Sequence, residues 1–186
     1  KGWQAYLAAL DEPFARKALY LTLEATVAAV LGNTVFGLAS AWLLTKYDFR
    51  GKAFWSSLLD LPFAISPVVA GLLFVILFGR MSPIYPFLRA EHIAIIFAVP
   101  GIILATVFVT FPFITRELVP IMEAQGRSEE EAAATMGASG WTIFRRVTLP
   151  NIKWALLYGV ILCTARALGE FGAVSVVSGH IRGKTN

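Results

Sequence analysis

The stretch IAIIFAVPGIILATVFVTFPFI, residues 93–114, contains no charged side chain in 22 positions. A helix needs about 20 mainly apolar residues to cross the hydrocarbon core of a bilayer. A run of this length therefore predicts a membrane-spanning segment. It also predicts a helix, because a single segment in lipid must satisfy its own backbone hydrogen bonds.

The rest of the chain fits the same class. Hydrophobic residues make up 57% and charged residues 15% of the 186 positions, whereas soluble domains contain roughly 25% charged residues. Three further apolar runs are long enough to span a bilayer, residues 18–44, 54–78 and 154–177. The chain is thus predicted to be all-α: a polytopic membrane helix bundle in which residues 1–186 form a single transmembrane domain with at least four spans.

Charge and metal-binding residue types argue against several other functions. The formal net charge is +4, but the basic residues are spread through short connections, which fits lipid headgroups better than nucleic acid. The single cysteine, Cys163, lies in an apolar run, and His92 and His180 are isolated, so neither an internal disulfide nor a metal site is predicted. Because the chain begins at Lys1, we expect a fragment whose count of spans is a lower bound.

Residues 120–150 are the only long polar stretch, and the first half of it has the pattern of a short helix. Ser128 and Glu131 have the spacing of a capping box at a helix N-terminus. Gly137 suits the left-handed conformation that commonly ends a helix. A helix is therefore predicted between these residues.

The second half of the stretch predicts another short helix, from Ser139 to the pair Leu149-Pro150. Trp141, Phe144 and Val147 share one face at helical spacing, with Arg145 and Arg146 opposite them. Helices this short are marginal in water. They must pack against a partner, and the membrane surface and another protein are the two candidates.

The spacing within this polar stretch resembles the EAA loop of bacterial ABC-importer permeases. Glu131-Ala132-Ala133 is followed after three residues by Gly137, and after nine more by Val147-Thr148-Leu149-Pro150. The family pattern has isoleucine where this chain has Val147. The resemblance implies a MetI-like permease fold and a cytoplasmic coupling loop, residues 120–150, seated in a cleft of an ATPase. The coupling residues it indicates, with the two aromatic contacts added from the apolar face, are Glu131, Ala132, Ala133, Gly137, Trp141, Phe144, Leu149 and Pro150. An amphipathic hairpin lying on headgroups is the alternative.

Other segments resemble permeases for tetrahedral oxyanions. Residues 166–172, RALGEFG, are similar to a segment shared by sulfate and molybdate permeases. Residues 174–179 with Ile181-Arg182-Gly183 and Thr185 resemble the CysW type of sulfate/thiosulfate permease. Further similarity lies in residues 62–71, 116–120 and 145–151, so the resemblance covers nearly the whole chain. Family members have about six spans, and the first and last are therefore expected to be missing here.

The resemblance implies a transport subunit of the bacterial inner membrane rather than an enzyme. Its expected partners are a homologous second permease, two ATPase subunits, an extracytoplasmic sulfate-binding protein and membrane lipid, with no nucleic acid. The chain itself is expected to hold no cofactor, because ATP and Mg²⁺ belong to the ATPase. Two alternatives stay open: a molybdate or tungstate permease, and a proton-coupled secondary transporter that uses Arg166 and Glu170 as a relay.

Arg166 and Glu170 are the candidate ionisable residues of the substrate pathway. They are four residues apart, so they share a helix face and can pair. Arg166 could attract a sulfate dianion, or Glu170 could neutralise it in a structural clamp. Three serines, Ser66, Ser175 and Ser178, could line a polar path or bond to neighbouring carbonyl groups.

A segment near the end of the chain, residues 179–185, superficially resembles a phosphate-binding loop. The spacing between its glycines is one residue too short, and it follows an apolar span rather than a strand. No ATP site is therefore predicted in this chain.

Overall fold

The computed structural model describes Gly2 and residues 12–179, and the fold is reported for that part of the chain. The described residues contain no strand, which confirms the all-α prediction. Their elements are, in order, α1 (Pro13–Lys46), α2 (Lys52–Ala64), α3 (Pro67–Phe78), α4 (Tyr85–Ala90), α5 (Val99–Thr110), α6 (Pro112–Gln125), α7 (Ser128–Thr135), α8 (Gly140–Ile143), a π-helical turn (Phe144–Thr148), α9 (Leu149–Leu168) and α10 (Gly172–Ser178).

Three helical stretches of the described chain are long and apolar enough to cross a membrane. They are α1, the stretch Val99–Gln125 made by α5 and α6, and the stretch Gly140–Leu168 that begins with α8 and ends with α9. Helices α2 and α3 provide a fourth span only if the two are counted together. Large apolar side chains point outward from these helices, for example Val35 on α1 and Ile161 on α9. Exposed apolar surface of this kind is what a lipid-facing bundle requires.

The predicted span 54–78 is divided into two helices, α2 and α3, whereas the predicted span 18–44 lies within α1. Helices α2 and α3 meet at an angle of 108°. A proline disfavours helical conformation in the residue before it. Ser66, which precedes Pro67, accordingly has φ −58° and ψ 136°; α2 has ended at Ala64 and α3 begins at Pro67.

The other two predicted spans also need corrected boundaries. Helix does not begin at residue 93 but at Val99, where the following proline suits the first turn. It then runs past residue 114, with α6 ending at Gln125. The predicted span 154–177 starts earlier than expected and is interrupted, because α9 ends at Leu168 and α10 begins only at Gly172.

Small residues let the helices approach closely. A Cβ atom added to Gly37 on α1 would lie 2.9 Å from side-chain atoms of Ile114 on α6. One added to Gly71 on α3 would lie 2.9 Å from the carbonyl oxygen of Ala173 on α10. The larger buried cluster joins α1, α6 and α9 and contains Ala41, Ile114, Leu118, Met122, Ile152 and Cys163. The smaller one joins α3, α5 and α10 and contains Ala70, Ala105, Val109, Ala173 and Val177.

A buried amide ties three of the long helices together. Asn33 of α1 is fully buried. Its Nδ2 atom lies 2.8 Å from Thr110 Oγ1, 3.3 Å from the Val107 carbonyl oxygen and 3.7 Å from Cys163 Sγ. These contacts reach α5 and α9, so Asn33 fixes the rotation of α1 relative to both.

Candidate docking loop and substrate pathway

The helix that opens the polar connection starts where it was predicted but is capped differently. Helix α7 begins at Ser128, and the residue in the N-cap position is Arg127. The Ser128 side chain makes no capping bond, so the predicted capping box is wrong. The Glu131 amide donates instead to the Arg127 carbonyl at 2.9 Å. Acidic residues still occupy the first turn, where the helix dipole favours them.

Gly137 ends α7 as the sequence predicted. Its φ angle is +83°, in the left-handed region that favours glycine. The amide of Gly137 donates to the Ala134 carbonyl at 3.0 Å, and the amide of Ala138 donates to Ala133 at 3.1 Å. Both bonds satisfy carbonyl groups at the helix C-terminus.

The second helix begins as predicted and ends much later. The Ser139 side chain caps α8 by accepting a hydrogen bond from the Thr142 amide at 3.4 Å. The predicted end at Leu149-Pro150 is wrong, because the helix continues into α9. Pro150 has no amide hydrogen to donate, and the turn before it widens into a π-helical one in which the Leu149 amide donates to the Phe144 carbonyl.

The polar connection is consequently shorter than the predicted coupling loop, residues 120–150. Pro120 lies inside α6, which ends at Gln125, and α8 already belongs to a long helix. The connection between these two long helices is residues 126–139, which we call the docking loop.

The predicted coupling residues occupy unlike environments. Glu131, Ala132 and Gly137 are exposed, and Trp141 is 70% exposed. Ala133 is buried, Leu149 is half-buried and Pro150 is exposed. The exposed members, together with Met136 at 82% exposure, form an outward-facing surface at one end of the bundle.

Phe144 differs from Trp141 because it packs mainly within the chain. Its ring centroid lies 5.4 Å from that of Trp42 on α1 and 5.6 Å from that of Trp141. Phe144 is half-buried between these rings. It therefore supports the exposed Trp141, which the sequence pattern alone did not reveal.

A partly buried ion pair fastens the docking loop to the bundle, and sequence reasoning missed it. Lys46 Nζ at the end of α1 lies 3.0 Å from Glu130 Oε2 on α7, and the two side chains are only 8% and 20% exposed. Glu130 Oε1 accepts a hydrogen bond from Thr148 Oγ1 at 2.7 Å. Lys46 Nζ also donates to the Gly126 carbonyl at 2.8 Å. A lysine in the last turn of a span and an acid in the first turn of a loop helix were the available signals, but nothing in the sequence pairs them.

Further polar contacts surround that ion pair. The Asn151 side chain donates to Glu129, and Gln125 Nε2 donates to the Asn151 carbonyl at 3.0 Å. Arg127 lies 3.9 Å from the exposed carboxylate of Asp48. The docking loop is thus attached to α1 and α9 at several points, and α6 is bonded to α9 beside it.

Arg166 and Glu170 form the ion pair that their spacing allows. Arg166 Nη1 lies 2.7 Å from Glu170 Oε2, although the angle is not that of a hydrogen bond. Glu170 Oε1 accepts a hydrogen bond from the Ala173 amide at 2.9 Å, at the start of α10. The Glu170 side chain is 1% exposed and that of Arg166 is 32% exposed. This geometry favours the clamp interpretation, because one carboxylate neutralises the arginine and caps the next helix.

Of the three candidate serines, Ser66 lies at the break between α2 and α3, and the other two lie within α10. Ser175 Oγ donates to the Gly172 carbonyl at 2.9 Å and Ser178 Oγ to the Ser175 carbonyl at 3.5 Å, so both bond to their own helix. Ser66 is exposed at the break between α2 and α3. The two breaks adjoin, since a Cβ atom added to Gly172 would lie 3.0 Å from Pro67 Cβ.

Several sequence predictions fall outside the described residues. They concern Lys1, His180, the Ile181-Arg182-Gly183 segment and most of the glycine-containing segment 179–185. Within the part of the chain that is described, no group of three His, Cys, Asp or Glu side chains could hold a metal ion.

Long apolar helices and an outward-facing polar loop between two of them define a multi-pass membrane protein. Residues 33–180 match the family described as the binding-protein-dependent transport system inner membrane component. The chain belongs to this family. The predicted MetI-like class of ABC-importer permease and the multi-pass inner-membrane location are thereby confirmed.

Individual relatives are similar along the whole chain. The chain is 54% identical over 185 residues to the sulfate transport system permease protein CysW of Escherichia coli (strain K12), and 53% identical over 186 residues to CysW of Synechocystis. It is 40% identical over 183 residues to the sulfate transport system permease protein CysT of Salmonella typhimurium. The similarity covers 100%, 100% and 98% of this chain, and 64%, 67% and 66% of the respective relatives. The resemblance to the CysW type is thus confirmed, for a chain that spans about two thirds of its relatives' length.

Proposed function

We propose that this chain is the core of a membrane-spanning permease subunit that imports sulfate with energy from ATP. The observation that carries the proposal is an exposed docking loop in a chain 54% identical to a CysW permease. Thiosulfate, a tetrahedral dianion of similar charge, is included as a second substrate.

Coupling to ATP takes place through the docking loop. Two partner ATPase subunits bind ATP and Mg²⁺, and one of them accepts the exposed Glu131, Met136 and Trp141 surface. Closure of the ATPase pair displaces the loop, and with it the two long helices that the loop connects. Alternation between two arrangements of these helices opens the pathway to one side of the membrane at a time.

The partner permease is a homologous subunit of the CysT kind, a type to which this chain is itself 40% identical. An extracytoplasmic binding protein delivers the sulfate. The adjoining breaks at Ser66-Pro67 and at residues 169–171 are the favoured wall of the pathway, because broken helices in transporters commonly lie beside a substrate route.

The test uses the full-length subunit that contains this chain, expressed with its second permease, ATPases and binding protein in cells that lack sulfate uptake. We expect growth on sulfate to return, and ATPase subunits to co-purify with the permease. In membrane vesicles, labelled sulfate uptake should require ATP and persist when the proton gradient is collapsed. Unlabelled thiosulfate should compete.

Two outcomes would overturn the proposal. Uptake of molybdate or tungstate without sulfate would identify the other oxyanion class. Uptake that continues without ATP and stops when the proton gradient collapses would identify a secondary transporter, with Arg166 and Glu170 as the candidate relay.

A further inference from the structure

We infer that Lys46, Glu130 and Thr148 form a coupling junction that transmits displacement of the docking loop to two spanning helices at once. The inference rests on the proposed function, because it assumes that an ATPase pushes on the loop. It assigns a positioning role to three residues outside the exposed docking surface.

The contacts of Glu130 carry the first step. Its two carboxylate oxygens are shared between different elements, Oε2 with Lys46 of α1 and Oε1 with Thr148 of the π-helical turn before α9. The distances are 3.0 Å and 2.7 Å. One side chain of α7 thus holds the ends of two separate spans.

The burial of these side chains makes the contacts effective. Lys46 is 8% and Glu130 20% exposed on the side chain, and Thr148 is buried. Partly buried charged pairs are screened by salt less than exposed ones. Glu131, the next residue, is exposed. Of these two adjacent acids on α7, Glu130 therefore faces the bundle and Glu131 faces outward, where the proposed ATPase would bind.

The backbone at both ends of α7 explains why such a junction is needed. Gly126 and Gly137, which flank the helix, have φ angles of +67° and +83°. A short helix between two glycines would turn about its ends when pushed, since glycine gives the backbone unusual freedom. Lys46 also donates to the Gly126 carbonyl at 2.8 Å, which restrains one of these two positions directly.

A role in transmission and a role in holding the fold predict different results. If the junction transmits displacement, breaking it separates ATP hydrolysis from transport while the ATPase stays bound. If the junction only supports the docking surface, breaking it releases the ATPase. Both quantities are measurable on one preparation.

The experiment reconstitutes the complete transporter in liposomes and measures sulfate taken up per ATP hydrolysed. Glu130→Gln is the central variant, because the amide oxygen can still accept from Thr148 while the charge that binds Lys46 is lost. We expect the ATPase to co-purify normally and uptake per ATP to fall about tenfold, the lower end for a hydrogen bond to a charged group. Lys46→Met should lower it further, because the Gly126 contact is lost as well.

Matched variants distinguish the loss of the junction from the general effects of a substitution. Thr148→Val keeps the shape of the side chain and should lower uptake per ATP by less than Glu130→Gln. Glu123→Gln removes an exposed acid of α6 outside the junction and should leave the ratio unchanged. Lys46→Arg keeps the charge and should retain most of the coupling.

Two results would overturn the inference. One is an unchanged ratio of uptake to hydrolysis in Glu130→Gln, which is isosteric and expected to fold even if Lys46→Met does not. The other is loss of the ATPase from Glu130→Gln. A wild-type complex that takes up no sulfate with ATP would instead contradict the proposed function, before any variant is compared.

Discussion

Charged side chains connect distant elements at the docking loop, whereas at the helix breaks the buried charges pair locally. Lys46 and Glu130 join the end of α1 to α7 with little exposure. Arg166 and Glu170 lie four residues apart at the end of α9. The contact between the two breaks is made by close packing at Gly71 and Gly172 rather than by charge.

This difference indicates that the docking loop is suited to transmit force and that the helix breaks are suited to rearrange. Hydrogen-bonded ion pairs hold a defined geometry between the groups they join. Helices that meet at small residues are held by van der Waals packing and can shift without breaking polar bonds. We therefore expect variants at the docking loop to have larger effects on coupling than variants of equal size near the helix breaks.

The largest expected effect comes from Gly137→Pro at the end of α7. Proline fixes φ near −65°, whereas Gly137 has +83°, so the turn cannot form as it stands. We expect nearly complete loss of ATPase co-purification, with normal insertion of the permease in membranes. Pull-down with a tagged permease measures the first and carbonate-resistant membrane association the second.

Two further variants test the same docking assignment. Gly140→Ala, at a glycine with open space around its Cβ position, should retain the ATPase. Glu131→Lys reverses an exposed charge and should weaken association without altering the fold. Normal association in both Gly137→Pro and Glu131→Lys would contradict the docking assignment.

Arg166→Leu should have the next largest effect and would act on the fold. It leaves the carboxylate of Glu170, 1% exposed, without its partner. Removing one partner of a buried pair typically costs about 3 kcal/mol of unfolding free energy or more. Titration with a denaturing detergent, followed by helix content, measures the loss.

The double variant Arg166→Leu with Glu170→Gln distinguishes a clamp from a substrate site. It removes both charges, and the amide oxygen of the substituted side chain can still accept from the Ala173 amide. For a clamp we expect stability and most sulfate uptake to return. Recovered stability without uptake would show that Arg166 serves the anion.

The sequence predicted the membrane class well because apolar run length is a local property. The run 93–114 and the turn at Gly137 were interpreted correctly in kind, and so was the start of a helix at Ser139. The effect of Pro67 on the residue before it is local and does not tell whether a span is kinked or broken; in the structure α2 and α3 meet at 108°. Pro150 was likewise expected to end a helix, but the helix continues past it, directly after a π-helical turn.

The candidate site was predictable only where spacing along one helix determines contact. Arg166 and Glu170 were paired from their separation of four residues. The sequence pattern indicated Glu131 and not Glu130 as a coupling residue. The two acids are adjacent and chemically alike, and only the structure shows that their side chains face different directions. Lys46 could not be assigned, because its partner belongs to a helix whose position is set by the whole bundle.

A smaller effect is expected from Asn33→Ala in the buried amide contact of α1. The change removes donation to Thr110 Oγ1 and the Val107 carbonyl. Interhelical side-chain hydrogen bonds in membranes contribute about 0.6 kcal/mol on average, so we expect a loss of about 1 kcal/mol including the lost packing. Detergent titration measures it, with Thr34→Ala as control, because Thr34 bonds only within its own helix. Equal losses in both variants would argue against a special role for Asn33.

The smallest effect should come from Asp60→Asn on α2, the helix that ends at the first helix break. Arg116 Nε lies 2.7 Å from Asp60 Oδ1, with side chains 56% and 40% exposed, and its guanidinium lies 4.7 Å from the Phe63 ring centroid. The asparagine oxygen can accept the same hydrogen bond, and the contact with Phe63 is unaffected. We therefore expect less than about 0.5 kcal/mol of destabilisation, in line with exposed ion pairs, and unchanged sulfate uptake per ATP. A loss of coupling comparable to that of Glu130→Gln would show that α2 also transmits force. It would contradict the contrast between the docking loop and the helix breaks.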